Sequence, residues 1–164
     1  MEQASTLRRL RLSYPINPPK KTTNNIQQDK TMDYFNAEMS TAEVNKLSML
    51  ALAHVGDAVY ELLTRTMLCT RANSSVALLH RQTVSYVKAP AQARAAEKLL
   101  PLLDAEEAAV YRRGRNAKVN SVPHNADIGQ YHAATGLEAL FGWLYLQGRT
   151  ARAAELFAVI MEDE

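Results

Sequence analysis

The sequence predicts an all-α protein, and three observations lead to that prediction. From residue 40 onward, apolar residues recur every three to four positions, which is the spacing of an amphipathic helix. Residues typical of helix N-caps precede several of these stretches, and prolines or glycines follow them. No stretch alternates polar and apolar residues as a half-exposed strand does. We therefore expect one helical domain without internal repeats.

Four helices are expected in the first part of this domain, each set by local signals. A capping-box pattern at residues 40–43 opens the first helix. A serine-containing segment at residues 73–75 caps the third, whose inner stripe begins at Val76. Pro90 fits the first turn of the fourth helix, and Pro101 ends it. The expected ranges are about 41–51, 52–68, 76–87 and 90–100.

Three further helices complete the expected fold. A second capping-box pattern at residues 104–107 opens a helix that should end at Arg113-Gly114. A loop over residues 115–126 then leads into a long apolar helix, which Gly148 ends. Thr150 begins the last helix.

Charge divides the chain into two segments. Residues 1–31 hold six of the 19 basic and two of the 17 acidic residues, so they carry +4 and the remainder carries −2. This first segment has few large apolar residues, which predicts a disordered basic extension. Either it gathers RNA or it is a dispensable tail, and with Met32 as an alternative start it would not be translated. Residues 32–164 are expected to form the folded catalytic domain.

The composition argues against several classes of protein. The single cysteine forms neither an internal disulfide nor a four-cysteine zinc site, which favours a reducing compartment. No apolar run reaches the ~18 residues of a membrane span, and the N-terminus lacks the apolar core of a secretory signal. We therefore expect a soluble, cytoplasmic protein without membrane association.

Two acidic residues interrupt apolar helical stretches and are the main candidates for chemistry. Asp57 follows Gly56, and Glu138 lies far along the chain in similar surroundings. A carboxylate there needs a partner, because burying it alone is costly, and Gly56 lets a ligand or another backbone come close. The partner is either an arginine or Mg²⁺. Mg²⁺ would supply the nucleophilic water and the charge neutralisation that phosphodiester hydrolysis requires.

Glu61 is a candidate accessory metal ligand, because it lies one helical turn after Asp57 and shares its face. The alternative is an ion pair with Arg65, four residues further along, in the favourable orientation. His54 lies one turn before Asp57, where it is either a proton carrier or a hydrogen-bonded histidine at a helix boundary.

A dense basic cluster spans a predicted helix end and glycine turn. Because residues 32–164 are not basic overall, RNA binding would depend on such local patches. Guanidinium and backbone N–H groups there could bind phosphates, although the helix dipole alone also favours cations at this end. Aromatic residues are not interleaved with the basic ones, which favours double-stranded over single-stranded RNA. The candidate RNA-binding residues are Arg112, Arg113, Arg115, Asn116, Lys118 and Lys88.

The long helix that carries Glu138 has large apolar residues on all sides, including Phe141, Trp143 and Tyr145. More than one of its faces must therefore be covered. A single domain of this size is not expected to cover them all, so we expect a homodimer.

Three linked motifs resemble the Mini-III ribonuclease family, whose members are short ribonuclease III catalytic domains without a double-stranded-RNA-binding domain. The motifs are HVGDAVYE at residues 54–61, RGRNAK at residues 113–118 and TGLEALFG at residues 135–142, in the family's order and spacing. The similarity runs from about Met32 to the C-terminus.

The resemblance implies a homodimer with the ribonuclease III endonuclease-like fold that cleaves double-stranded RNA with Mg²⁺. It implies products with 5′-phosphate and 3′-hydroxyl ends, and the family's characteristic substrate is the 23S ribosomal RNA precursor. In the family each subunit cuts one strand, and the matching carboxylates, here Asp57 and Glu138, hold the metal.

Two departures from full-length ribonuclease III are shared with Mini-III members. Ala53 and Thr135 occupy positions where the longer enzyme has a glutamate and an aspartate. Water or RNA phosphate must then complete more of the metal's coordination, and Thr135 is a candidate for positioning such a water. Without a separate RNA-binding domain, the basic loop would grip the substrate, with an accessory ribosomal protein as a candidate helper.

Two other classes of function compete with the nuclease interpretation. A non-catalytic RNA-binding or ribosome-binding module could keep the ribonuclease III-like fold, although retention of both acidic motifs argues against it. A helical dimerisation protein is the third reading, and it predicts no salt-sensitive affinity for RNA.

Overall fold

The computed structural model describes residues 33–118 and 127–162, which contain no strand, so the all-α prediction is confirmed. The predicted N-terminal extension, residues 1–31, lies outside the described residues, and the boundary at residue 32 stays a prediction. The helices are α1 Thr41–Val44, α2 Met49–Arg71, α3 Val76–Val87, α4 Ala89–Leu99, α5 Ala105–Arg115, α6 Ile128–Leu146 and α7 Thr150–Met161, with a short 3-10 helix at Leu100–Leu102.

Local signals place several helix ends as expected. Both capping boxes form. The backbone N–H of Ser40 donates to Glu43 Oε2 at 2.8 Å, and that of Asp104 donates to Glu107 Oε2 at 3.1 Å. Gly148 follows α6 with φ of 71°, a left-handed conformation that glycine adopts without a steric penalty.

The expected first helix is wrong in its length. It stops at Val44, and Ser48 starts α2 by accepting a hydrogen bond from the backbone N–H of Ala51. A second N-cap serine therefore divides the segment that periodicity alone joined. Val76 is also misassigned, because it is the first residue of α3 and 83% exposed rather than part of an inner stripe.

The expected glycine turn at Gly114 is also wrong. Helix α5 continues to Arg115, and Gly114 is buried inside it. A Cβ at Gly114 would lie 2.6 Å from the Cβ of Ala139 on α6. This glycine therefore serves close helix packing rather than a change of chain direction.

Helix α6 is the centre of the domain, and α2, α4, α5 and α7 pack against it. Phe141 and Trp143 are fully buried by this chain alone. The hydroxyl of Tyr145 donates to the backbone carbonyl of Tyr34. Phe141 and Trp143 therefore give no reason to expect a second subunit, although Ile128 at the start of α6 is 63% exposed.

Candidate active site

Two glycines bring α2 and α6 into backbone contact. A Cβ on Gly56 would lie 1.7 Å from the carbonyl oxygen of Glu138, and one on Gly142 would lie 2.0 Å from that of Leu52. Only glycine permits so close a crossing. Because Asp57 follows Gly56 directly, the crossing brings two carboxylates, 81 positions apart in the chain, to one place.

The two carboxylates repel each other and are partly removed from water. Burial, and then the charge of Asp57, raise the pKa of Glu138 to about 7. Burial, and then the charge of Glu61, raise the pKa of Asp57, while His54 opposes the shift. Such pKa shifts mark a pair whose negative charges lack compensation.

The described residues do not offer this pair an arginine. Within residues 33–118 and 127–162, neither Asp57 nor Glu138 forms an ion pair with a basic side chain. A divalent cation held by oxygen ligands would relieve the repulsion, so the pair fits a magnesium site. The described residues contain no group of three or more His, Cys, Asp or Glu side chains able to hold a metal.

A buried glutamine adjoins the pair, and sequence reasoning did not identify it as functional. Gln92 is 1% exposed, and neither its Nε2 nor its Oε1 has a hydrogen-bond partner within the described residues. Its amide lies near enough to lower the pKa of Glu138, without reaching a hydrogen bond of ordinary distance and angle. The available signal was an amide on the apolar stripe of α4.

The two candidate accessory residues both have local partners. Glu61 accepts from Nε of Arg65 at 2.9 Å, which is the alternative that the spacing allowed. The hydroxyl of Thr135 is buried and donates to the backbone carbonyl of Tyr131 at 3.1 Å. Neither contact tests an accessory role at the metal, so both assignments stay predictions. His54 is exposed and lies inside α2 rather than at its boundary.

The candidate RNA-binding residues form an exposed basic end on α5. Arg115 and Asn116 line a cavity of about 330 Å³ together with Gly129 and His132 from the start of α6. Nδ1 of His132 is buried there without a partner in the described residues, another feature that the sequence did not single out. Lys88 is apart from this group, between α3 and α4. The exposed members of the candidate set are Arg112, Arg113, Arg115, Asn116, Lys118 and Lys88.

The described residues include no helix long and apolar enough to cross a membrane.

Comparisons with known proteins agree with this architecture. Residues 50–149, which include Asp57 and Glu138, match the Ribonuclease III domain family. The chain is 44% identical to Mini-ribonuclease 3 of Thermoanaerobacter sp. (strain X514), covering 82% of this chain and 99% of that protein. It is 45% identical to Mini-ribonuclease 3 of Symbiobacterium thermophilum, covering 72% of this chain and 91% of that protein. A crystal structure from Fusobacterium nucleatum superimposes with a TM-score of 0.67 at 26% identity, covering 74% of this chain and 97% of the other.

Proposed function

Because this chain belongs to the Mini-ribonuclease 3 group of the ribonuclease III domain family and is therefore an endoribonuclease, we propose that it cleaves double-stranded RNA with Mg²⁺. The proposed products carry 5′-phosphate and 3′-hydroxyl ends. The proposed substrate is the 23S ribosomal RNA precursor, in the cytoplasm. The observation that carries the proposal is the Asp57 and Glu138 pair, whose carboxylates meet without a compensating cation in the described residues.

In this proposal Asp57 and Glu138 hold the metal ion. When bound, Mg²⁺ supplies a nucleophilic water and neutralises charge that develops on the phosphate. The close crossing of α2 and α6 at Gly56 fixes the two carboxylates on rigid helices, so little reorganisation accompanies binding. Because a cation favours their ionised forms, we expect it to lower both raised pKa values.

RNA binding is assigned to the basic end of α5. The side chains of Arg112, Arg113 and Arg115 are exposed, and none forms an ion pair within the described residues. The guanidinium of Arg115 lies beside the start of α6, and guanidinium groups without a carboxylate partner suit RNA phosphates. Lys118 and Asn116 extend the same surface.

A homodimer is part of the proposal, since family members cut one strand with each subunit. Exposed apolar side chains on α2 and α3, namely Leu62, Val76 and Val84, offer surface that a second copy would cover. Light scattering during gel filtration is the direct measurement. A mass of one chain at working concentration would exclude the dimer.

The test of the nuclease proposal is cleavage of end-labelled double-stranded RNA in Mg²⁺ or in EDTA, with single-stranded RNA as substrate control. Wild type should cut only the duplex and only with Mg²⁺, whereas Asp57→Asn and Glu138→Gln should bind RNA without cutting it. Glu106→Gln is the matched control, because Glu106 is exposed in the first turn of α5 and far in sequence from both carboxylates.

The same assay identifies the substrate. A folded 23S precursor should be cut at defined positions, and adding the ribosomal protein that binds near them should raise the rate if an accessory protein helps. If wild type binds duplex RNA but cuts neither substrate, the non-catalytic binding module becomes the better description.

A further inference from the structure

Gln92 is an anomaly in the core of this domain. It lies on the same face of α4 as Ala95, Ala96 and Leu99, all of which are buried. That face packs on α6, the helix that carries Glu138. An apolar residue would serve packing at this position, yet the chain places a primary amide there.

The amide is costly where it lies. Both polar atoms of Gln92 are buried and have no hydrogen-bond partner within the described residues. Leaving a buried polar group without a hydrogen bond is destabilising, and buried polar groups in folded proteins are nearly always paired. A group that is kept despite this cost calls for a partner that binds during function.

The chemistry of the amide matches the two species at the site. Its Nε2 can donate to a carboxylate, and its Oε1 can accept from a water molecule. Mg²⁺ usually keeps several of its waters when it binds to one or two carboxylates. Those waters donate hydrogen bonds and need fixed acceptors, which neighbouring side chains commonly supply.

We propose that Gln92 is a positioning residue of the metal site, donating through Nε2 to Glu138 and accepting through Oε1 from a water of the bound Mg²⁺. This inference rests on the proposed function, because it presupposes that Asp57 and Glu138 hold the ion. Gln92 then completes, from α4, a site whose two carboxylates come from α2 and α6.

The test measures metal binding and stability without RNA. Gln92→Met keeps the length of the side chain and removes both polar groups. We expect its affinity for Mg²⁺, from the rise in melting temperature during a Mg²⁺ titration, to fall about tenfold or more. Its melting temperature in EDTA should equal or exceed that of wild type, because an unsatisfied amide has been removed.

Gln147→Met is the matched control. Nε2 of Gln147 is also buried and unpaired in the described residues, but its Oε1 accepts from the hydroxyl of Thr41. Gln147 follows the last residue of α6, nine positions after Glu138. The same chemical change there should leave the affinity for Mg²⁺ unchanged.

A second variant keeps the inference testable if Gln92→Met folds poorly. Gln92→Glu has nearly the same shape and adds a third carboxylate. Its melting temperature in EDTA should be lower than that of wild type. Mg²⁺ should raise its melting temperature more than that of wild type, because the cation then relieves a larger repulsion between carboxylates.

The outcomes separate this inference from the proposed function. If wild type binds Mg²⁺ and Asp57→Asn does not, but both Gln92 variants bind it as wild type does, Gln92 has only a structural role and the inference fails alone. If wild type itself shows neither Mg²⁺ binding nor Mg²⁺-dependent cleavage, both the proposed function and this inference are wrong.

Discussion

Glu107 is fully buried and Glu138 is half-buried in the same domain, and the surroundings of the two carboxylates differ. Glu107 is 0% exposed, and its carboxylate accepts from the guanidinium groups of Arg149 and Arg152 at 2.9 to 3.0 Å. It also accepts from the backbone N–H of Asp104. Every oxygen of Glu107 is therefore occupied by partners within the chain.

The cations around Glu107 are themselves anchored. The guanidinium of Arg149 lies 5.0 Å from the ring centroid of Trp143, where a cation is attracted by the aromatic face. Arg152 also pairs with Glu155 and donates to the backbone carbonyl of Leu102. This network joins α5 to α7 and occupies both oxygens of Glu107.

Glu138 lacks such partners among the described residues. The charge of another carboxylate, Asp57, raises its pKa, and the adjoining amide of Gln92 has no hydrogen-bond partner within the described residues. Burial alone therefore does not identify a functional carboxylate. The charge of Glu107 is compensated within the chain, whereas that of Glu138 is not compensated by the described residues, which fits the proposed cation site.

The largest expected difference between the two glutamates is in catalysis. Glu138→Gln and Asp57→Asn should each reduce Mg²⁺-dependent cleavage by about a thousandfold or more, since each removes a charge held for the transition state. Glu107→Gln should keep near wild-type cleavage at a temperature where it remains folded. Single-turnover rates on duplex RNA check both statements. An active Asp57→Asn enzyme would remove this residue from the mechanism.

The next difference is in stability. Glu107→Gln removes the buried carboxylate that two partly exposed guanidinium groups share, so we expect it to lower the free energy of unfolding by about 1–3 kcal/mol. Urea denaturation measures this, and Glu106→Gln on the adjacent exposed position should change it little. An unchanged midpoint for Glu107→Gln would mean that the network contributes no net stability.

The dependence of stability on pH should distinguish Glu138. Its pKa is about 7 in the folded protein and near 4.5 when unfolded, so between these values the folded state keeps a proton that the unfolded state loses. Stability therefore falls as pH rises through this window, by up to about 3 kcal/mol above pH 7.

Thermal melts of wild type and Glu138→Gln in EDTA, across this pH range, check whether stability falls as pH rises. The variant should be the more stable above pH 7, and the difference should shrink towards pH 4.5. Mg²⁺ should reduce the slope of wild type because it favours the ionised carboxylate. A wild-type stability that rises with pH in EDTA would contradict the assignment.

The smallest expected effect extends the comparison to the arginines. Arg149 and Arg152 both form ion pairs with carboxylates of this chain, whereas Arg113 and Arg115 are exposed without ion pairs in the described residues. Replacing the second pair by alanine should weaken duplex binding and reduce the salt-dependence slope by about 2. A fluorescence-anisotropy titration over several salt concentrations measures the slope. Unchanged binding would mean that RNA contacts a different surface of the protein.

Much of the secondary structure was predictable because its signals are local. Capping boxes at Ser40 and Asp104, and the left-handed Gly148, act within a few residues of themselves and appear as expected. Errors arose where two local signals competed, as at Ser48, where a second cap interrupts an apolar period. Gly114 was predicted to form a turn, but it lies inside α5 and allows close contact with Ala139 on α6. The local sequence does not encode that contact.

The sequence by itself determined the helical class, the family and the identity of the two acidic residues, because periodicity, caps and motifs are properties of neighbouring positions. Only the tertiary structure decided that Asp57 and Glu138 come together and that Gln92 adjoins them. Those facts depend on the crossing of α2 and α6 at Gly56 and Gly142 and on the packing of α4 against α6. Distances between residues far apart in the chain arise only when helices pack, and the charge environment of a carboxylate follows from those distances.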